Sequence, residues 1–324
     1  MAVLSFLCWL PVQGQFAPAA GLPGSTAIPK DSSAFVEWAT GCDVQRGFMN
    51  IADTALGYAS VGSNSSALGK AGENGVVSLG DGGIATLTFN YPVYNGPGFD
   101  FAVFENGFTT NDSNLAFLEF AFVEVSSDGV NFFRFPATSN IQDTTQLVQE
   151  GIDCSLVNNL AGTYVANYGT PFDLDDLAGT SGLDVNNITH IRVIDVVGSI
   201  QNQYATYDMN GHKINDPWPT PFASCGFDLD AIGVIHANVP NGIAQVVPPG
   251  TGLFPNPVKQ GQITTLKTEG AVEISVSDLN GREIMRSSFA GGLMQLNTTG
   301  LSAGLYLVNI VSAAARFNTK LIVQ

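Results

Sequence analysis

Several strand-like segments place a carboxylate among apolar neighbours, and these are the residues whose type and spacing carry chemistry. At a period of two, Glu105 shares a face with Phe101 and Val103, Glu119 with Phe117 and Ala121, and Asp195 with Ile191, Val193 and Val197. By the same count Asp228 and Asp230 share a face with Ile232 and Val234. A desolvated carboxylate without a partner is costly, so such groups need hydrogen-bond donors, a cation, or a strand end that opens to water. Before residue 251 there are 24 acids against 6 Lys and Arg, too few for ion pairing to serve most of them. Backbone donors, solvent or a hard cation such as Ca2+ remain. The candidate ligands are Glu105, Asp195, Asp228 and Asp230, with Asp208, Asn210 and Asp216 as a second rank in the loop Tyr207-Asp-Met-Asn-Gly211 and its continuation Asn215-Asp216. That loop fails the EF-hand pattern, because position twelve from Asp208 is Pro219 rather than a bidentate Glu, and a tight Asx turn is expected there. The competing reading is that the opposite strand faces are buried and the acids are wet.

No catalytic residue is assigned, and binding without turnover is expected. His190, His212 and His236 are scattered, no His-Glu-x-x-His or Gly-x-Ser-x-Gly pattern occurs, and Gly80-Asp-Gly-Gly83 lacks the Lys-Ser/Thr of a phosphate loop. Two carboxylates can act as glycosidase acid and base, with Glu105 and either Glu119 or Asp195 as the pair to consider. Aromatic residues beside Pro, Gly and Asn suit stacking on a sugar ring or another flat ligand. They are Tyr91, Tyr94, Phe108 and, between two prolines, Trp218, with loop packing as the alternative role. A net charge of −18 before residue 251 argues against nucleic acid as a partner and for a soluble surface.

The elements that must position these residues are short, β-branched or aromatic, and bounded by Gly, Asn, Pro or Asp. They are Ile84 to Phe89, Phe99 to Phe104, Leu115 to Val125, Phe132 to Phe135, Ile188 to Val197 and Phe227 to Ile235. Helical periodicity is not sustained, although Leu147 to Leu160 has room for one short helix. The expected fold is all-β, with a jelly-roll-like β-sandwich head over residues 15–244 and a linker over 245–252. A second small β-domain over 253–324 follows from Val272, Ile274 and Val276 alternating with Glu273, Ser275 and Ser277, and from the Asn280-Gly281 hairpin signal. At the other end, the apolar run Val3 to Val12 and the small residues before Gln15 predict a signal peptide over 1–14. Its removal leaves Cys42, Cys154 and Cys225, which allow at most one internal disulfide.

Leu253-Phe-Pro-Asn-Pro-Val258, Val272 to Arg282, Gly300-Leu-Ser-Ala-Gly-Leu-Tyr-Leu-Val308 and Lys320-Leu-Ile-Val-Gln324 together resemble the type A C-terminal sorting domain of the Bacteroidetes type IX secretion system. The resemblance implies a compact immunoglobulin-like sandwich, engagement of the secretion machinery through residues 253–324, and release or fixation at the outer cell surface. Val77 to Gly83, Asn95 to Asn106, Phe122 to Gly129, Asp216 to Phe222 and Gly226 to Ile232 resemble a largely uncharacterised family of exported bacterial surface proteins. Phe227-Asp-Leu-Asp-Ala-Ile232 is also similar to the last strand of carbohydrate-binding jelly rolls, where an acid often holds structural calcium. These features lead to the expectation of a surface-displayed protein that binds a glycan or other small ligand, supported by calcium. An accessory of a TonB-dependent outer-membrane receptor, holding a nutrient such as a corrinoid, is the second expectation. A structural or adhesive surface component and a glycoside hydrolase are the others.

Overall fold

A computed structural model describes residues 16–111, 115–239, 252–268, 270–279, 281–312 and 316–324. The predicted signal peptide, linker residues 245–251 and Asn280 lie outside the described residues. The chain divides after Val239 into two units. Among the described residues there are strands and short 3-10 turns but no α-helix, and no helix is long and apolar enough to cross a membrane. The short helix expected over Leu147 to Leu160 is replaced by a single 3-10 turn, Cys154–Leu156, which Asp153 caps by accepting from the Ser155 amide.

Two antiparallel sheets make the head. The first orders Ile28–Pro29, Tyr168–Phe172, Phe101–Glu105, Asp228–Val234 and Glu37–Trp38, with Val77–Ser78 also paired to Asp228–Val234. The second orders Phe133–Arg134, Ala121–Ser126, Ile188–Asp195, Ile84–Val93 and Gly41–Gln45. From Ile84 onward the long strands fall alternately in the second and first sheets, as in a jelly roll. Between the sheets, Leu87, Val123, Ile191 and Val193 meet Phe101, Val103, Phe172, Ile232 and Val234. Phe101 and Phe172 stack with centroids 5.3 Å apart, and Phe135 packs edge-on 5.0 Å from Phe172. The outer face of the first sheet is covered as well, where Ala102, Phe104 and Ala231 pack under Ile28, Phe35 and Trp38. All five residues of Phe101–Glu105 are therefore buried, so Glu105 has no wet face to occupy.

Two expectations about local register are corrected. A bulge between Leu229 and Ala231 shifts the strand's phase by one residue. Phe227 and Leu229 thus join Ile232 and Val234 in the inter-sheet core, and Asp228 and Asp230 do not share that face. The segment predicted as one strand from Leu115 to Val125 is also broken. Ala116–Phe117 pairs with Phe108–Thr109, and the sheet resumes at Ala121. In the gap, the Phe120 amide leaves the ladder and donates to Asp216 Oδ2 at 2.9 Å.

The second unit is a smaller sandwich. Gly252–Phe254, Ile263–Thr268 and Gly292–Asn297 form one sheet, and Glu283–Phe289, Val272–Ser277, Gly304–Ser312 and Arg316–Val323 the other. The predicted alternation is observed, since Val272, Ile274 and Val276 are buried with Val308, Ile310 and Leu266. The three cysteines of the head, Cys42, Cys154 and Cys225, are free thiols, and burial pushes them up to about 12, 11 and 12. Phe172→Ala removes a fully buried ring from between Phe101 and Phe135 and is expected to cost about 3–5 kcal/mol in denaturant unfolding. A loss below about 1 kcal/mol would contradict this packing.

Candidate functional site

Antiparallel pairing gathers the acid-bearing strand ends at one end of the head. Phe101–Glu105 and Ile188–Asp195 finish there, whereas Ala121–Ser126, Asp228–Val234 and Ile84–Val93 begin there. Six carboxylates result: Asp81, Glu105, Glu119, Asp195, Asp216 and Asp228, each at most 8% exposed. No salt bridge among the described residues reaches any of them.

Loop groups supply donors instead. Asp195 accepts from the Gly82 amide at 2.9 Å and the Phe227 amide at 2.7 Å. The second contact requires close approach at Gly226, where φ is +64° and a Cβ would stand 2.6 Å from Asp195 Oδ1. Gly198 likewise leaves room for Asp216, whose Oδ1 would lie 1.7 Å from a Cβ there. Glu105 Oε2 accepts from the Gly107 amide at 2.7 Å. Asp81 Oδ2 accepts from the Ile51 amide at 2.7 Å and from Trp218 Nε1 at 3.0 Å. Asp228 takes the Ser78 hydroxyl on one oxygen and Asn106 Nδ2, at 2.8 Å, on the other.

Glu119 differs, because no hydrogen bond among the described residues reaches its carboxylate, although it is only 8% exposed. It opens into a cleft of about 320 Å³ with Asp228 and Asn106 on its lining. Phe108, Phe117 and Phe222 wall this cleft, with Phe108 and Phe117 stacked at 5.1 Å and Phe108 and Phe222 59% and 63% exposed. Burial raises the Glu119 carboxyl well above the usual carboxylate range, and the charges of Glu105, Asp216, Asp228 and Asp195 add to the shift. Glu105, Asp195 and Asp216 are raised for the same first reason, with their amide donors opposing it.

Of the residues singled out from sequence, Glu105, Glu119, Asp195, Asp216 and Asp228 come together. Asp230 is turned away by the bulge and accepts from the Gly72 amide at 2.9 Å. Asp208 and Asn210 form the Asx turn, Asp208 taking the Asn210, His212 and Ser139 amides. Trp218, the first choice for ligand stacking, is only 4% exposed; its indole is held by Asp81, and its ring lies 6.0 Å from that of Tyr204. Tyr91 lies within Ile84–Val93 near its opposite end, and Tyr94, just after that strand, packs against His236 at 5.6 Å. Only Phe108 among the four aromatics lines the cleft. Sequence reasoning left Asp81 out of the acid group, although its setting among Gly80, Gly82 and Gly83 marks a turn able to turn amides inward. No group of three or more Asp, Glu, His or Cys among the described residues is arranged to hold a metal ion. A cation at this end would need carbonyl and water oxygens beside one or two carboxylates, which the oxygen-rich ligand set of calcium permits.

Comparison with known proteins identifies the second unit. Residues 252–324 match the secretion system C-terminal sorting domain. The sorting domain marks the protein for export by type IX secretion to the cell surface or extracellular space, and implies contact with that machinery. No curated protein matches the chain significantly. Among solved structures, PorZ, a surface component of the type IX secretion system of Porphyromonas gingivalis, is 13% identical over 29% of this chain and 14% of its own, with a TM-score of 0.22. The β-glucuronidase of Ruminococcus gnavus is 10% identical over 95% of this chain and 46% of its own, with a TM-score of 0.23. The chain spans less than half the length of either, and similarity at this level says nothing about activity.

Two outcomes are expected. The raised carboxyls hold protons more tightly when folded than in the unfolded chain, where Asp and Glu titrate near about 3.9 and 4.3. The folded state then binds more protons, so stability falls as pH rises above about 4. The melting temperature in chelator should drop between about pH 5 and pH 8, and less so in Glu119→Gln. A temperature that is flat or rising over that range would refute the upward shift of these carboxyls. Deleting residues 252–324 should abolish surface display, read as loss of protease accessibility on intact cells.

Proposed function

We propose that the exported head is a surface-displayed binding protein that takes a glycan or similar small ligand into the Phe108–Glu119 cleft, with calcium supporting the acid-bearing end. The observation that carries this reading is Glu119, nine-tenths buried yet without a protein donor, facing a cleft with aromatic walls. The Glu119 oxygens reach the cleft with no donor among the described residues engaged, so a ligand hydroxyl or a cation entering there finds an acceptor available. The apolar face of a sugar ring suits the Phe108–Phe117 stack and Phe222. Anionic ligands are disfavoured, because the lining holds Glu119 and Asp228 and no basic side chain.

Binding rather than turnover suits the hydrogen bonding. The hydrogen bonds from Ser78 and Asn106 to Asp228 fix that carboxylate as a structural anchor of the cleft wall, which a binding role uses without any further step. Calcium would draw on Glu119 together with carbonyl and water oxygens, and would add positive charge to carboxylates that have no direct ion pair among the described residues.

The test is thermal unfolding of the full chain with calcium or chelator, followed by a glycan array. A ligand present at 100 times its Kd stabilises the native state by about 2.7 kcal/mol, so calcium should raise the melting temperature. Glu119→Gln should remove that shift, and Phe108→Ala should weaken glycan capture while leaving the shift in place. Absence of both the calcium shift and any glycan signal would overturn the reading.

A further inference from the structure

A second cavity of about 380 Å³ lies toward the other end of the head and shares no lining residue with the Phe108 cleft. Phe99, which enters the strand Phe101–Glu105, and Asp173, which leaves Tyr168–Phe172, both line it. Glu105 and its acidic neighbours sit at the far end of the same strand. The volume falls within the range of small-molecule sites, about 300–1,000 Å³.

The polar groups of this cavity are held in place with capacity to spare. Asn159 adopts a left-handed conformation with φ of 53°, which Asn tolerates better than most residues. Its amide donates to Asp176 Oδ2 at 2.8 Å, which orients both side chains and leaves the Asn159 carbonyl and the other Asp176 oxygen as acceptors. Asp173 commits one oxygen to the Asp175 amide at 2.9 Å, and the other has no partner among the described residues. Burial pushes the Asp173 carboxyl up, and Asp100, Asp175 and Asp176 add to the shift. The hydroxyls of Thr26 and Tyr164 share one hydrogen bond of 2.8 Å, so one of their two protons remains free to donate. Beside these groups stands the Phe99 ring, 36% exposed.

We propose that this cavity binds a neutral saccharide unit. An anion would meet Asp173 and Asp176 with no basic side chain on the lining to offset them. A purely apolar ligand would cover carboxylate oxygens without giving them donors, at the cost of unsatisfied polar groups. A sugar ring supplies several O–H donors for Asp173, Asp176 and Asn159, an acceptor for the free hydroxyl proton, and a C–H face for Phe99. The proposal does not rest on the Phe108 cleft. If both sites operate, one head engages a polysaccharide at two points, and linked sites raise apparent affinity without new contacts.

Saturation-transfer NMR on the full chain tests this with maltose, cellobiose and lactose as neutral probes, glucuronic acid as the anionic control and putrescine as the cationic one. At least one neutral disaccharide should bind at millimolar concentration. Phe99→Ala and Asp176→Ala, both at exposed positions, should each weaken it by about tenfold, the equivalent of about 1.4 kcal/mol, while Glu119→Gln leaves it unchanged. Three results would each overturn the proposal: no neutral probe binds, only glucuronic acid or putrescine binds, or sugar binding survives in both variants. If Glu119→Gln alone abolishes sugar binding, the sugar occupies the Phe108 cleft, and this proposal fails while the earlier one stands.

Discussion

Desolvating a group of carboxylates with no direct ion pair among the described residues, although the Arg46 cation lies near Asp228, is the constraint around which the head is organised. Six carboxylates crowd one end of an apolar sandwich, and no ion pair among the described residues relieves them. In such surroundings a carboxylate is pushed toward its protonated form unless it collects hydrogen bonds; here burial raises these carboxyls while loop amides oppose the shift. The Ile51, Gly82, Gly107, Phe120 and Phe227 amides, with the Trp218 indole, all point at these oxygens. These bonds tie loops to strand ends, as Gly82 and Phe227 do at Asp195, or to one another, as Ile51 and Trp218 do at Asp81, so the acid group acts as a clamp on the loops. Breaks in regular structure follow from it, since Phe120 forgoes its sheet partner to serve Asp216.

Glu119 is the member of this group that the loops do not satisfy, and its position at the base of an aromatic cleft makes it the point where the clamp meets the outside. The two ends of the head are otherwise unlike. One concentrates buried acids, while the other sets its aspartates nearer the surface beside Asn159 and Phe99. Both cavities lack a basic lining, in keeping with a head where 24 acids face 6 bases. For an exported protein that charge balance favours solubility and neutral or cationic ligands.

The sorting domain shows the contrasting case, where one-dimensional pattern and three-dimensional structure coincide. Val272, Ile274 and Val276 are buried and Glu273 is exposed because each strand there has one wet face, so the period of two translates directly into burial. In the head the first sheet is covered on both faces, and periodicity loses its meaning for Phe101–Glu105. The bulge at Leu229 is equally invisible in sequence, since one extra residue reverses every side chain before it without altering composition. Trp218 misled for a related reason: two flanking prolines mark a loop, but a loop that dips inward to reach Asp81 buries what it carries.

From sequence alone come the all-β class, the two-part organisation, the export signal in the last seventy or so residues, and the presence of strand-borne acids with too few bases to pair them. These are properties of composition and short-range pattern. Tertiary structure decided which acids meet. Glu105, Asp195 and Asp228 are far apart in the chain, and only the antiparallel order of their strands brings their ends together. It also decided that Asp81 and Glu119 belong with them, that Asp208 and Asp230 do not, and that Phe108 rather than Trp218 faces the cleft. The physical reason is that burial and proximity depend on which distant strands pair and which loops fold inward to satisfy buried oxygens, and neither is encoded within the span of a local motif.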